Sequence, residues 1–160
     1  MAYRKILVTL DGSKVAEKAL DHLLEIAPRG AVITLLSVMA ENRPSEVATL
    51  ASVVRENNQQ ANANWPPIQQ IADPHQVDAR KAYLKRVTDW LEAAGYDVNA
   101  EVVEGNPIER IVDVAKQGYD IIIMVTHGRT GMTKVAVGSV TDGVLQKTTC
   151  PVVVIPARAN

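Results

Sequence analysis

The feature that most restricts the fold of this 160-residue chain is a series of short, almost uninterrupted apolar runs separated by stretches of helical periodicity. KILVTL at 5–10, AVITLLSVM at 31–39, DIIIMVT at 120–126 and PVVVIP at 151–156 are rich in β-branched and aliphatic residues. A strand with one wetted face alternates apolar and polar residues, whereas a continuous apolar run marks a strand covered on both faces. Between these runs Ala16, Ala19, Leu20, Leu23 and Ala27 recur at helical spacing, as do Ala79, Ala82, Tyr83, Val87, Trp90, Leu91 and Ala94. Strands alternating with amphipathic helices predict a single α/β domain: a doubly wound, five-stranded parallel sheet with helices on both faces.

Local signals refine that plan. Asp11-Gly12-Ser13 ends the first strand, and Ser13 is expected to cap the first helix, which Pro28 and Gly30 stop. VNAEVVE at 98–104 alternates loosely, as a strand near the sheet edge does, while the strongly apolar run at 120–126 is expected to be central. Asn106-Pro107-Ile108-Glu109 predicts a helix start with a reciprocal capping arrangement and proline at the first helical position. A final helix is expected near 139–147. Residues 41–76 differ from the rest, with Pro44, Pro66, Pro67 and Pro74 and a polar Asn/Gln tract; they read as a variable inserted segment, interrupted by a short helix carrying Val47, Leu50, Ala51 and Val54.

Composition removes several classes of function. Seventeen basic side chains against eighteen acidic ones leave a net charge of −1, which gives no basis for wholesale binding to nucleic acid or anionic lipid. No stretch approaches the ~18 consecutive apolar residues of a membrane-spanning helix, so no membrane insertion is expected. The lone Cys150 supports neither a disulfide framework nor a cysteine-rich metal site and fits a reducing, cytoplasmic setting.

In an open α/β sheet the ligand site lies beyond the carboxyl ends of the strands, where the strand order reverses. Three such ends carry unusual residues: Asp11-Gly12-Ser13, Val38-Met39, and His127-Gly128-Arg129-Thr130-Gly131. The last continues to Gly138-Ser139-Val140-Thr141 at a helix start, where unpaired N–H groups and the positive end of the dipole favour an anion. Arg129 and Lys134 add charge, Ser139 and Thr141 add hydroxyls, and an anionic group, most naturally a phosphate, suits the assembly. Glycines between a strand and a helix also serve as plain turns. His127 fits either a phosphate contact or a turn-fixing hydrogen bond, and Asp11 either a water-mediated Mg2+ contact or a helix cap. Neither a Walker loop nor a G-x-G-x-x-G fingerprint occurs. Ser139 is not in a nucleophile elbow, because Val137 and Thr141 stand where that motif needs glycine.

These residues resemble the universal stress protein family over most of the chain: ILVTLDGS, LLSVM, DIIIMVTHGRTG and GSVTDGVLQKTTCPVVVIP. Its ATP-binding branch is marked by G-x2-G-x9-G-[ST], and Gly128, nine intervening residues, Gly138 and Ser139 reproduce the last three fixed positions. The resemblance implies an adenine-nucleotide alpha hydrolase-like sheet of order 3-2-1-4-5. It implies an ATP site, with or without Mg2+, in which Asp11 and Val38 meet the adenosine and Gly128, Gly138, Ser139 and Val140 the ribose and phosphates. Thr9, Met124, Val125, His127, Arg129, Gly131 and Thr141 would complete it. It also implies a regulatory homodimer in the stress response, joined through the strand from Pro151 to Pro156, with a further protein partner of unknown identity. An apolar edge strand by itself invites such pairing.

Three positions depart from the pattern. Val125 stands where the family has its first glycine, Thr9 where proline is frequent, and 41–76 is long. Crowding a packed site costs about 1–3 kcal/mol, roughly ten- to hundredfold in affinity, so weakened ATP binding is expected. No base is paired with a held nucleophile, so at most slow ATP hydrolysis or self-phosphorylation is expected. The alternatives are a family member that works through protein contacts alone, a sensor of another nucleotide such as a cyclic one, and a small enzyme using the same site.

Overall fold

The computed structural model describes residues 3–14, 16–40, 74–126 and 138–156, the side chains of 74–76 excepted. The elements run β1 (Lys5–Thr9), α1 (Lys18–Ile26), β2 (Val32–Met39), α2 (Pro74–Ala93), β3 (Asp97–Glu104), α3 (Pro107–Ala115), β4 (Ile121–Thr126), α4 (Ser139–Lys147) and β5 (Val152–Pro156). The strands form one five-stranded sheet in the order β3-β2-β1-β4-β5, with every neighbouring pair parallel. The apolar runs at 5–10, 31–39 and 120–126 therefore became interior strands covered on both sides, and the run at 151–156 the partly buried edge strand β5. Ile6, Leu7 and Val8 of β1 are fully buried, as are Ile122 and Ile123 of β4.

Alternating side chains of each strand feed two cores. On one face Ile6, Val8, Ile33, Leu35, Ile121 and Ile123 pack under Leu20 and Leu23 of α1 and Leu84, Val87 and Leu91 of α2. On the other, Leu7, Leu36, Ile122 and Met124 pack under Ile111, Val114 and Ala115 of α3 and Val144 of α4. The period of two along a strand divides one apolar run between two helical layers.

Several local expectations need correction. β4 is interior but not central; β1 takes the middle place. Continuous apolarity reports burial on both faces, which any interior strand shares, so it does not rank interior strands. Ser13 does not cap α1. Its hydroxyl accepts the Ala16 N–H at 3.2 Å, and i→i+3 bonds from Ala16 to Ser13, Ala19 to Ala16 and Leu20 to Glu17 carry the chain through tight turns into a helix that starts at Lys18. At α3 the Asn106 side chain accepts from the N–H groups of Ile108 (3.0 Å) and Glu109 (3.3 Å). The return bond from Asn106 N–H to the exposed Glu109 carboxylate does not form, leaving half of the reciprocal cap. α2 starts at Pro74, earlier than the periodicity indicated, which puts His75 on a helix; proline at a first helical position loses no hydrogen bond. The helix expected around 47–54, and residues 41–73 as a whole, lie outside the described residues.

Candidate functional site

The strand order reverses between β1 and β4, whose successors β2 and β5 lie on opposite sides of the sheet. Beyond the carboxyl ends of these strands opens a cavity of about 680 Å³, well inside the range that holds small molecules and cofactors. Thr9, Leu10 and Asp11 from the end of β1, Leu36 and Val38 from β2, and Met124 and Val125 from β4 line it. Pro107 and Ile111 of α3 form one side, Gly138, Ser139, Val140, Thr141 and Asp142 at the start of α4 another, and Ala16 completes the lining. Thus Thr9, Asp11, Val38, Met124, Val125, Gly138, Ser139, Val140 and Thr141 converge as their positions in the sequence predict. His127, Gly128, Arg129, Gly131 and Lys134 lie outside the described residues.

The polar end of the cavity is the start of α4. Its cap residue is Gly138, which has no side chain to offer the first turn, and the first bond closing the helix is Asp142 N–H to Gly138 C=O at 2.9 Å. The N–H groups of Ser139, Val140 and Thr141 therefore have no partner within the helix. Gly138 itself is engaged differently: its N–H donates to the Thr126 hydroxyl at 3.1 Å, and Thr126 is only 2% exposed. This bond ties the end of β4 to the start of α4 and removes Gly138 N–H from any ligand cradle. Thr141 is 3% exposed and lines the cavity, and among the described residues no hydrogen bond occupies its hydroxyl.

The β1 turn supplies another part of the lining. Asp11 Oδ1 accepts from both the N–H (2.9 Å) and the hydroxyl (2.6 Å) of Ser13, an Asx-type turn in which Gly12 takes φ +80. Asp11 thus organises its own turn and does not cap α1. Its second oxygen, Oδ2, takes no part in these two bonds. Leu36, Val38, Ile111 and Met124 give the lining apolar surface. Val125 is partly buried, packs against the core beneath α1 and α2, and also reaches the cavity. Among the described lining residues the charged groups are the carboxylates of Asp11 and Asp142, the latter accepting from Gln146 Nε2 at 2.8 Å.

Leu10, Ala16, Leu36, Pro107, Ile111 and Asp142 were not foreseen as lining residues. Leu36 follows from Val38 by the strand period of two, and Asp142 from Ser139 by helical spacing. Pro107 and Ile111 carry no local signal, because only the packing of α3 beside α4 brings them to the cavity. Gly143 allows that packing: a Cβ on it would collide with Ile108 Cδ1 and lie 2.9 Å from Ile108 Cγ1.

Comparison with known proteins agrees with this geometry. The sequence profile of the Universal stress protein family matches residues 2–156. Universal stress protein MJ0577 of Methanocaldococcus jannaschii is 30% identical over 157 residues, covering 98% of this chain and 96% of its own length. Universal stress protein YxiE of Bacillus subtilis is 30% identical over 159 residues, covering 96% and 99%. The solved structure of MJ0577 superposes with a TM-score of 0.72 across 100% of this chain and 99% of that one. A universal stress protein solved in complex with cAMP, 18% identical, shares the fold at a TM-score of 0.60, covering 99% of this chain and 100% of that one. A profile match spanning almost the whole chain, with near-complete coverage of relatives at this identity, settles descent: the chain belongs to the universal stress protein family.

Proposed function

We propose that this universal stress protein binds ATP in the cavity at the β1–β4 reversal and acts as a nucleotide-responsive regulatory homodimer in the cytoplasm. The observation that carries the reading is the start of α4: a nine-residue helix whose first N–H groups, left free by a glycine cap, lie on the cavity wall. Unpaired amides and the positive dipole end favour a phosphate there. The apolar lining of Leu36, Val38, Ile111 and Met124 suits a purine ring, and the carboxylate of Asp11 suits ribose hydroxyls or a hydrated cation. Because the described lining carries two carboxylates and no basic side chain, the triphosphate is proposed to arrive with Mg2+ or to draw charge from Arg129 and Lys134. His127, Gly128 and Gly131 are proposed to complete the phosphate side. No described lining residue pairs a base with a held nucleophile, in keeping with a binding protein that hydrolyses ATP slowly at most.

For assembly, β5 lies at the sheet edge with Val152, Val153 and Val154 partly buried, and an edge of this composition supports pairing with a second copy. No helix among the described residues is long and apolar enough to cross a membrane. A second reading, action through protein contacts with little nucleotide binding, is favoured by one observation: Val125 occupies cavity wall where the family spacing puts glycine.

The test is to denature purified protein, identify any released nucleotide by chromatography, and titrate ATP, ADP and cAMP calorimetrically with and without Mg2+. ATP binding at micromolar to millimolar concentration supports the proposal. Preference for cAMP moves the reading to a cyclic-nucleotide sensor, and no binding at millimolar ligand leaves the contact-only reading. Light scattering after size exclusion decides assembly, and a monomeric mass at micromolar concentration refutes the homodimer.

A further inference from the structure

We propose that Arg80 of α2 is a positioning residue for the nucleotide cavity, clamping its β1 wall to its β2 wall from the far side of the sheet; the inference rests on the ATP-binding reading. Arg80 does not line the cavity. Its Nη1 donates to Ser37 Oγ at 3.1 Å, and Ser37 is fully buried, immediately before the cavity residue Val38. Its stem and guanidinium lie along the turn after β1: a Cβ placed on Gly12 would sit 3.5 Å from Arg80 Cδ, 3.6 Å from Nε and 3.7 Å from Cζ. Gly12 is flanked by Asp11, which lines the cavity, and by Ser13, which holds the Asp11 carboxylate. One side chain thus touches both segments that present Asp11 and Val38.

The neighbourhood fits a clamp that must stay in place. Tyr83, one helical turn after Arg80, is 8% exposed, and its hydroxyl is buried with no hydrogen-bond partner among the described residues. Burial first, and then the carboxylates of Glu17 and Asp11, push its phenol above the ordinary tyrosine range. A planar fork can pack flat on Gly12 while donating to Ser37; a lysine ammonium has one donating centre and no flat face. Gly12 itself is required by its φ of +80, which is ill suited to other residues, while the space beside it would bring a Cβ only to ordinary van der Waals distance from Arg80.

A clamp acting on these walls affects the nucleoside end of the ligand, whereas a direct phosphate contact would affect only charged ligands. Parent, Arg80→Ala, Arg80→Lys, Ser37→Ala and the double Arg80→Ala/Ser37→Ala proteins are titrated with adenosine and with ATP–Mg2+, and their thermal unfolding is recorded. Losing one charge-assisted hydrogen bond corresponds to about tenfold in affinity. The expected result is a comparable loss for adenosine and ATP in Arg80→Ala, a similar loss in Ser37→Ala, little added loss in the double variant, and incomplete rescue by lysine. Loss for ATP alone would assign Arg80 to the phosphates and overturn the clamp, as would unchanged affinity for both ligands. Affinity loss that tracks the fall in melting temperature across all variants would reduce Arg80 to a stabilising contact. If the parent binds neither ligand, the ATP reading itself falls and the clamp with it.

Discussion

Replacing Val125 with glycine restores the first glycine of the family spacing and sets a gain in binding against a loss in stability. Val125 pairs in register with Ile155 of β5, packs partly buried against the core beneath α1 and α2, and reaches the cavity. Deleting a partly buried isopropyl group costs roughly 1–2 kcal/mol, and glycine within a strand a further ~0.5–1 kcal/mol, so Val125→Gly should lose about 1.5–3 kcal/mol of unfolding free energy. If the side chain crowds the nucleotide, its removal returns about 1–3 kcal/mol of binding, a ten- to hundredfold lower Kd for ATP. Urea unfolding measures the first quantity and isothermal titration with ATP the second. Val125→Ala separates crowding from glycine's backbone freedom and should recover much of the affinity at less cost in stability. A folded Val125→Gly protein that binds ATP no more tightly than the parent would refute crowding and show that the cavity already accommodates the valine.

Gly143→Ala brings a Cβ into Ile108 and should destabilise the α3–α4 contact by about 1 kcal/mol net, as overpacking of ~1–3 kcal/mol outweighs the ~1 kcal/mol helix-propensity gain; a stabilised variant in urea melts would contradict that close approach. Asn106→Ala removes the acceptor of two N–H groups at the start of α3 and should lower stability by about 1 kcal/mol, with no change in urea m-value. Asp120 accepts the backbone N–H groups of Lys5 and Arg4, both at 2.8 Å, and these bonds hold its carboxyl below the ordinary value of 3.8. A depressed folded pKa gives stability that is complete above the unfolded value and disappears as pH falls through the folded one. Asp120→Ala should therefore melt below the parent at neutral pH and converge with it in acid beneath pH 3.8; a constant difference would exclude the carboxylate as its source.

How much the sequence discloses depends on whether a feature is local. The strands were legible because burial on both faces writes a continuous apolar run, as at Ile6 to Val8 and Ile121 to Met124. The cap at Asn106 was legible because a side-chain oxygen, a proline and the helix start are adjacent. Convergence of Asp11, Val38, Met124 and Ser139 followed from topology alone, since a doubly wound sheet brings those strand ends together. Long-range choices were not legible. Ser13 looks like a helix cap, yet its hydroxyl serves Asp11 and a tight turn, and the helix starts later. Arg80 looks like an ordinary solvent-facing helix residue until the buried Ser37 hydroxyl and the bare face of Gly12 are placed beside it. Thr126 likewise reads as the last residue of a strand, and only the fold shows that it takes the Gly138 N–H.

The account depends most on the first turn of α4 receiving the nucleotide's phosphates. In 15N-labelled protein titrated with ATP–Mg2+ and separately with adenosine, the amide resonances of Ser139, Val140 and Thr141 should move strongly with ATP and weakly with adenosine. Saturable ATP binding that leaves these three resonances in place would contradict it.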